Sequence, residues 1–224
     1  MYAQPNETAA VVSKYQNGER VRPEQGYPMR LVLPGYEGNM NIKWVTSLQV
    51  VSAPAHTKDE SGEYTDILAD GRLDYDEELL GRFDYVIASI HSRFKMDGAA
   101  ITERVLHAMD DPHMTILAHP TGRLLLSREP YALDVEAVLQ KAAAVGVAVE
   151  LNCDPHRMDL DWRYLKRARE LGVTIEIGPD AHSARSLEWT DLGVSVARKG
   201  WLRRDDILNA RETHDVLAFA RRRR

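Results

Sequence analysis

Four residues of metal-binding type stand directly behind short apolar runs: His91 after 85–90, His119 after 115–118, and Asp180 with His182 after 173–177. Neutral imidazole and carboxylate together form a donor set that suits Zn, Mn or Fe, and a divalent ion, Mn or Zn, is the expected cofactor. Such an ion can bind phosphate oxygens and lower the pKa of a bound water, chemistry of the kind a phosphoesterase uses. Asp180-Ala181-His182 places two ligand types at i and i+2 of an extended turn, facing one rim. Taken singly, a strand-end histidine is more often a hydrogen-bonded structural residue, so the inference rests on several reaching the same rim. Arg93 and Arg123 lie two and four residues beyond His91 and His119, where they could clamp phosphate oxygens or serve as ordinary surface ion pairs. His107 and His113 fall within and at the end of a helical stretch, where a capping or solvent role is expected. His156 follows a strand and is the remaining candidate to border the cleft.

The elements that must position these residues alternate. Apolar β-type runs at 85–90, 115–118, 147–151 and 173–177 are separated by helical stretches at 98–109, 134–145 and 161–171. Strand and helix in alternation predict an α/β fold with a parallel sheet or barrel, whose site is built at the C-terminal ends of the strands. Residues 194–197 read as a short last strand, and 204–224 as a closing helix whose basic end, Arg221 to Arg224, is expected to be a solvated tail, with contact to nucleic acid as the alternative. The first 60 or so residues differ in kind. Gly, Pro and Asn cluster there around two β-like runs, 29–33 and 43–51, as in a turn-rich β segment.

With 224 residues, 44% of them hydrophobic and 28% charged, the chain can bury a core as one or two small domains. Its net charge of −5 supplies no global field to hold a nucleic acid, so any such contact must be local. The one cysteine, Cys153, can form no internal disulfide. Neither a long apolar run nor a secretory signal is present, and a cytoplasmic protein without a membrane partner is expected.

Several motifs carry a family resemblance. Ile87-Ala-Ser-Ile-His-Ser-Arg-Phe94, Leu117-Ala-His-Pro-Thr-Gly-Arg-Leu124, Val149-Glu-Leu-Asn152 and Pro179-Asp-Ala-His-Ser183 resemble, in order and spacing, the later motifs of the PHP (polymerase and histidinol phosphatase) domain of bacterial family-X DNA polymerases. The resemblance continues through Gly193 to Trp201 and Ile207-Leu-Asn209 and covers about two thirds of the chain. It implies a distorted seven-stranded β/α barrel with up to three metal ions, a 3′-5′ exonuclease or related phosphoesterase activity, and a setting in DNA repair. By motif it carries metal-ligand roles onto His91, His119, Asp180 and His182.

The departures are specific. A family member opens with a His-x-His strand, then supplies another His and a Glu two residues before an Asp-Ile-Leu segment. Here Asp66-Ile67-Leu68-Ala69-Asp70-Gly71 matches that segment, the Glu position is Tyr64, and Glu63 stands one residue out of register. Upstream, Gly18 to Arg30, Leu33 to Trp44 and Tyr64-Thr65-Asp66 resemble the end of the molybdopterin-binding domain of sulfite oxidase and sulfane dehydrogenase enzymes. That resemblance implies pterin contacts at Arg30, Asn41 and Lys43. The cysteine that ligates molybdenum in that family lies upstream of the resembling segment and is absent, so the molybdopterin cofactor itself is not expected.

The expected organisation is thus residues 1–65 from a molybdopterin-type domain and 66–224 from a PHP-type domain lacking its first strands, joined near 63–70. The fold expected is an incomplete PHP-type β/α barrel with an N-terminal β-rich extension. The expected function is a metal-dependent phosphoesterase of the exonuclease type, acting on a phosphoester or a DNA 3′ end and impaired by truncation. The alternatives are a catalytically inactive chimera and a molybdopterin oxidoreductase remnant. An open sheet edge would favour self-association.

Overall fold

The computed structural model describes residues 11–13, 15–16, 19–20, 30–32 and 64–224. The chain divides into two compact units, Met1–Thr57 and Lys58–Arg224. In the first, strand β1 (Val11–Ser13) pairs antiparallel with β4 (Arg30–Val32), and β2 (Tyr15–Gln16) with β3 (Glu19–Arg20). Arg30 enters β4 opposite Ser13. The expected run at 43–51 and the residues Asn41 and Lys43 lie outside the described residues.

The second unit is a five-stranded parallel sheet whose spatial order follows the sequence: β5 (Tyr64–Asp66), β6 (Val86–Ser89), β7 (Met114–Leu117), β8 (Ala148–Asn152) and β9 (Ile175–Gly178). After β5 comes the short helix α1 (Glu77–Leu80), and the later strands alternate with α2 (Gly98–Ala108), α3 (Val135–Val145) and α4 (Trp162–Leu171). Local chemistry starts and stops the longer helices. Asp97, Asp134 and Asp161 cap α2, α3 and α4 by accepting from Ala100, Ala137 and Arg163 N–H groups. Gly146 and Gly172 end α3 and α4 in the left-handed conformation that glycine adopts without a Cβ penalty. The result is the expected incomplete α/β barrel: consecutive strands are neighbours, and α2, α3 and α4 pack in turn on each other.

Register assigns every strand residue to a face. Ala88, Leu117, Val149 and Ile175 lie on the helix-covered face, in a core with Val105, Leu139 and Leu165. The opposite face is divided. At its lower end Ile87, Ile116 and Ala148 meet Leu208, Val216 and Phe219. Nearer the strand C-termini, Ser89, Glu150 and Glu176 take the next places on the same face.

Three sequence expectations are corrected here. Residues 194–197 are not a strand but part of α5 (Thr190–Lys199). Val194 and Val196 suggested alternation, yet the residues that pack are Gly193 and Ala197, four apart. Gly193 approaches so closely that a Cβ there would meet Ile177 and Cys153. The closing segment 204–224 is two short 3-10 turns, Arg204–Asp206 and Leu208–Ala210, followed by α6 (Thr213–Arg221). Nor is the basic end a solvated tail. Arg221 pairs with Asp84, Arg222 donates to the Gly146 carbonyl, and Arg223 donates to those of Met109 and Met114. Arg224 takes the Phe83 carbonyl.

Because Phe219 is the largest apolar cover of the lower face, Phe219→Ala should cost about 3 kcal/mol of stability, read as a lowered urea midpoint. A midpoint unchanged from wild type would mean that α6 does not close this face.

Candidate functional site

Three strand ends deliver side chains to the upper part of the divided face. His91 follows β6 and His119 follows β7, and their rings meet edge to face with centroids 5.2 Å apart. His91 is half exposed. Its N–H donates to Asp66 Oδ1 at 3.1 Å, and Ser89 Oγ lies 3.4 Å from both ring nitrogens. His119 is buried and sits at φ 28°, in the left-handed region, with its N–H donating to Glu150 Oε2 at 2.5 Å. Its Nδ1 is buried and has no hydrogen-bond partner among the described residues. Burial, then the charge of Arg157 and the neighbouring His91, lowers its pKa to about 3, so the imidazole is neutral near pH 7 with a free lone pair.

Asp180, beyond β9 at φ 48°, faces the same cluster. Its Oδ2 accepts from Asn152 Nδ2 at 3.2 Å and pairs with Arg157 Nε at 2.8 Å. Asn152 also donates to Glu150 Oε2 at 3.2 Å. Burial and the adjacent Glu176 push Glu150 well above the usual carboxylate range, and burial raises Glu176 to about 7. Gly178 leaves room for this pair, since a Cβ there would run into the Glu150 carboxyl group. Four of the six non-glycine residues at positive φ, Arg93, His119, Met158 and Asp180, lie in the loops of this site. Backbone strain of this kind concentrates where function holds it.

Of the residues singled out from sequence, His91, His119 and Asp180 face one cluster. His182 stands at the rim with its ring exposed, Nδ1 2.7 Å from the Asp180 carbonyl oxygen. Among the described residues, no three His, Cys, Asp or Glu side chains are close enough as they stand to enclose a metal ion. Arg93 is exposed. Arg123 is engaged elsewhere: its guanidinium donates to the Arg157 and Met158 carbonyls and pairs with Asp161 at 2.8 Å, bracing the loop before α4. His107 rests on the Asp70 carbonyl, His113 on Asp111, and the exposed His156 on Asp154 with Trp189 beside it.

Sequence reasoning missed Asp66, Glu150, Asn152 and Arg157. The first three had a signal. Asp66 sits in a recognised motif, and Glu150 and Asn152 interrupt an apolar run at period two, which a buried parallel strand tolerates only for a purpose. Arg157 had none, because its position depends on the fold of a loop.

Residues 3–58 match the family model of the oxidoreductase molybdopterin binding domain. Over 161 residues the chain is 44% identical to the DNA polymerase/3'-5' exonuclease PolX of Bacillus subtilis (strain 168), a match covering 72% of this chain and 28% of that protein. It is 30% identical over 148 residues to a probable phosphatase of Shewanella sp. (strain ANA-3), covering 62% of this chain and 56% of the relative. A probable phosphatase of Thermoanaerobacter sp. (strain X514) is 28% identical over 149 residues, covering 62% and 58%. The chain thus spans little more than a quarter of the polymerase and somewhat over half of each phosphatase.

Beneath the site, Asp159 is fully buried, accepts from the Thr121 N–H and hydroxyl, and has its pKa raised by burial to about 6. A carboxyl whose folded pKa exceeds its unfolded value near 3.9 stabilises the fold below that lower value, and the contribution is lost as pH rises toward 6. The stability of wild type relative to Asp159→Asn should therefore fall between about pH 4 and 6, by roughly 2 kcal/mol. Parallel urea midpoints across that window would contradict the assignment.

Proposed function

We propose that this chain, whose C-terminal part is of the PHP type and follows a molybdopterin-binding-domain segment, is a metal-dependent phosphoesterase with its ion held by His91 and His119 and completed by Asp180. The observation that carries this reading is the buried, unpartnered Nδ1 of a neutral His119 next to the ring of His91. A buried ring nitrogen without a partner among the described residues is costly in a polar cluster unless something meets it, and imidazole with carboxylate is a fitting donor set for Zn or Mn. The ion, when bound, supplies a Lewis acid and a water of lowered pKa.

The chain's own residues do the positioning. Asp66 and Ser89 orient His91, the first through its backbone N–H and the second at its ring, and Glu150 holds the strained backbone of His119. Support of this sort tunes a metal ligand and keeps its ring in place. Asn152 ties Asp180 to the same carboxyl group. The names of the relatives favour a phosphoester substrate, and a DNA 3′ end is the specific form that the polymerase relative suggests. With Tyr64 where the resemblance places a Glu, a carboxylate that would help hold the ion is lacking, and turnover should fall below that of a relative that has it. Molybdenum chemistry has less support. The chain's one cysteine, Cys153, is buried in the second unit, its thiol donates to the Gly178 carbonyl, and its pKa is raised to about 12.

Calorimetric titration with zinc or manganese is the test. Wild type should take up metal, and His119→Ala and His91→Ala should each weaken binding by more than the roughly tenfold to hundredfold that loss of a supporting residue costs. Manganese-dependent hydrolysis of an activated phosphoester should fall with it. Unchanged metal uptake in His119→Ala would sink the reading.

A further inference from the structure

We propose that Arg157 is the phosphate-binding residue of this site, the group that takes a non-bridging oxygen of the phosphoester. The inference rests on the phosphoesterase reading and adds a residue to it. Arg157 is mostly buried, its side chain 18% exposed, with Nε on Asp180 Oδ2 at 2.8 Å. Its Nη1 is buried without an acceptor among the described residues. A guanidinium does not shed its proton, so this donor needs an acceptor, and leaving a charged donor buried and unpaired is costly.

One other buried side-chain nitrogen or oxygen shares that condition among the described residues, the Nδ1 of His119. The two have opposite needs. A neutral His119 ring can offer a lone pair and Arg157 offers an N–H, and the two belong to one network: Arg157 pairs with Asp180, Asn152 joins Asp180 to Glu150, and Glu150 accepts the His119 N–H. A ligand that satisfies both brings a cation to the imidazole and an oxyanion to the guanidinium, which describes a divalent ion carrying a phosphate. Arginine suits the second half because its planar fork matches phosphate oxygens.

Neighbouring arginines define the role by contrast. Arg123 donates through all three nitrogens to the Arg157 carbonyl, the Met158 carbonyl and Asp161, so it holds the loop that presents Arg157 and has no nitrogen free of a partner. The pairing of Arg157 with Asp180 has a further consequence. While it lasts, the arginine occupies an oxygen of a proposed metal ligand, so removing the arginine releases Asp180.

The test uses the full chain and inorganic phosphate, with manganese affinity measured separately by calorimetry and folding monitored by circular dichroism. In Arg157→Gln, phosphate affinity should drop about tenfold or more, the weight of one charge-assisted hydrogen bond, while manganese affinity stays equal or rises. Arg157→Lys should lie between, since a point charge lacks the fork, and it carries the test if the glutamine variant fails to fold. Unchanged phosphate affinity in the folded variants would overturn the proposal, because a water would then suffice at Nη1. So would a parallel loss of manganese and phosphate, which would make Arg157 a prop for Asp180. Arg157-dependent phosphate binding by protein that takes up no metal would support the proposal while refuting the metal site.

Discussion

The site depends on one buried acceptor, the carboxyl group of Glu150 on β8 of the parallel sheet. It takes the N–H of His119, which holds that residue at a φ that a non-glycine backbone disfavours. It also takes the amide of Asn152, whose other contact is Asp180. Two loops from different strand ends are thereby referred to a single side chain. An ionisable group in such a place is expensive, and neighbouring Glu176 adds like charge, so Glu150 tends toward its neutral form. The hydrogen bonds it accepts offset part of that cost, and Gly178 supplies the space a side chain would have filled.

Around this acceptor the open face of the sheet is divided by depth. Apolar side chains occupy the lower half, where Phe219 and Leu208 cover Ile116 and Ala148. Polar ones occupy the upper half, where the strands end. The arginines after α6 complete the lower closure by donating to carbonyls at Met109, Met114, Gly146 and Phe83. Those of Met109 and Gly146 lie at helix ends, that of Met114 at a strand start and that of Phe83 in the connection between α1 and β6, where regular structure leaves acceptors unused. The basic run acts as a set of caps, and its charge is spent on the fold.

Arginines in the site divide their labour in the same way. Spacing along the chain offered Arg123 as the phosphate group, and Arg123 instead ties down the loop preceding α4 through Asp161, whose carboxyl group is held well below the usual range by Arg163 and Arg123 against the opposing effect of burial. The loop so fixed turns Arg157 toward Asp180. Reach along the sequence is a poor guide to a long side chain, because its head can serve any loop within its length.

What the sequence determined by itself was local. The alternation of apolar runs and capped helical stretches specified a parallel α/β sheet, with strand boundaries that differ from the structure by at most two residues. The placement of His91, His119 and Asp180 behind those runs was legible for the same reason, since a strand end is written in the residues that end it. The segment 194–197 misled because two valines at period two imitate a strand, whereas close packing of Gly193 against Cys153 and Ile177 is a tertiary fact. Tertiary structure alone decided that Glu150 would meet His119, that Asn152 would bridge to Asp180, that Arg157 would pair with Asp180 while Arg123 braced a loop, and that the terminal arginines would be caps. Each is a contact between groups 23 residues or more apart, apart from the local Asn152 to Glu150 step. Such contacts follow from sheet register and loop geometry, and a linear pattern of polar and apolar residues encodes neither.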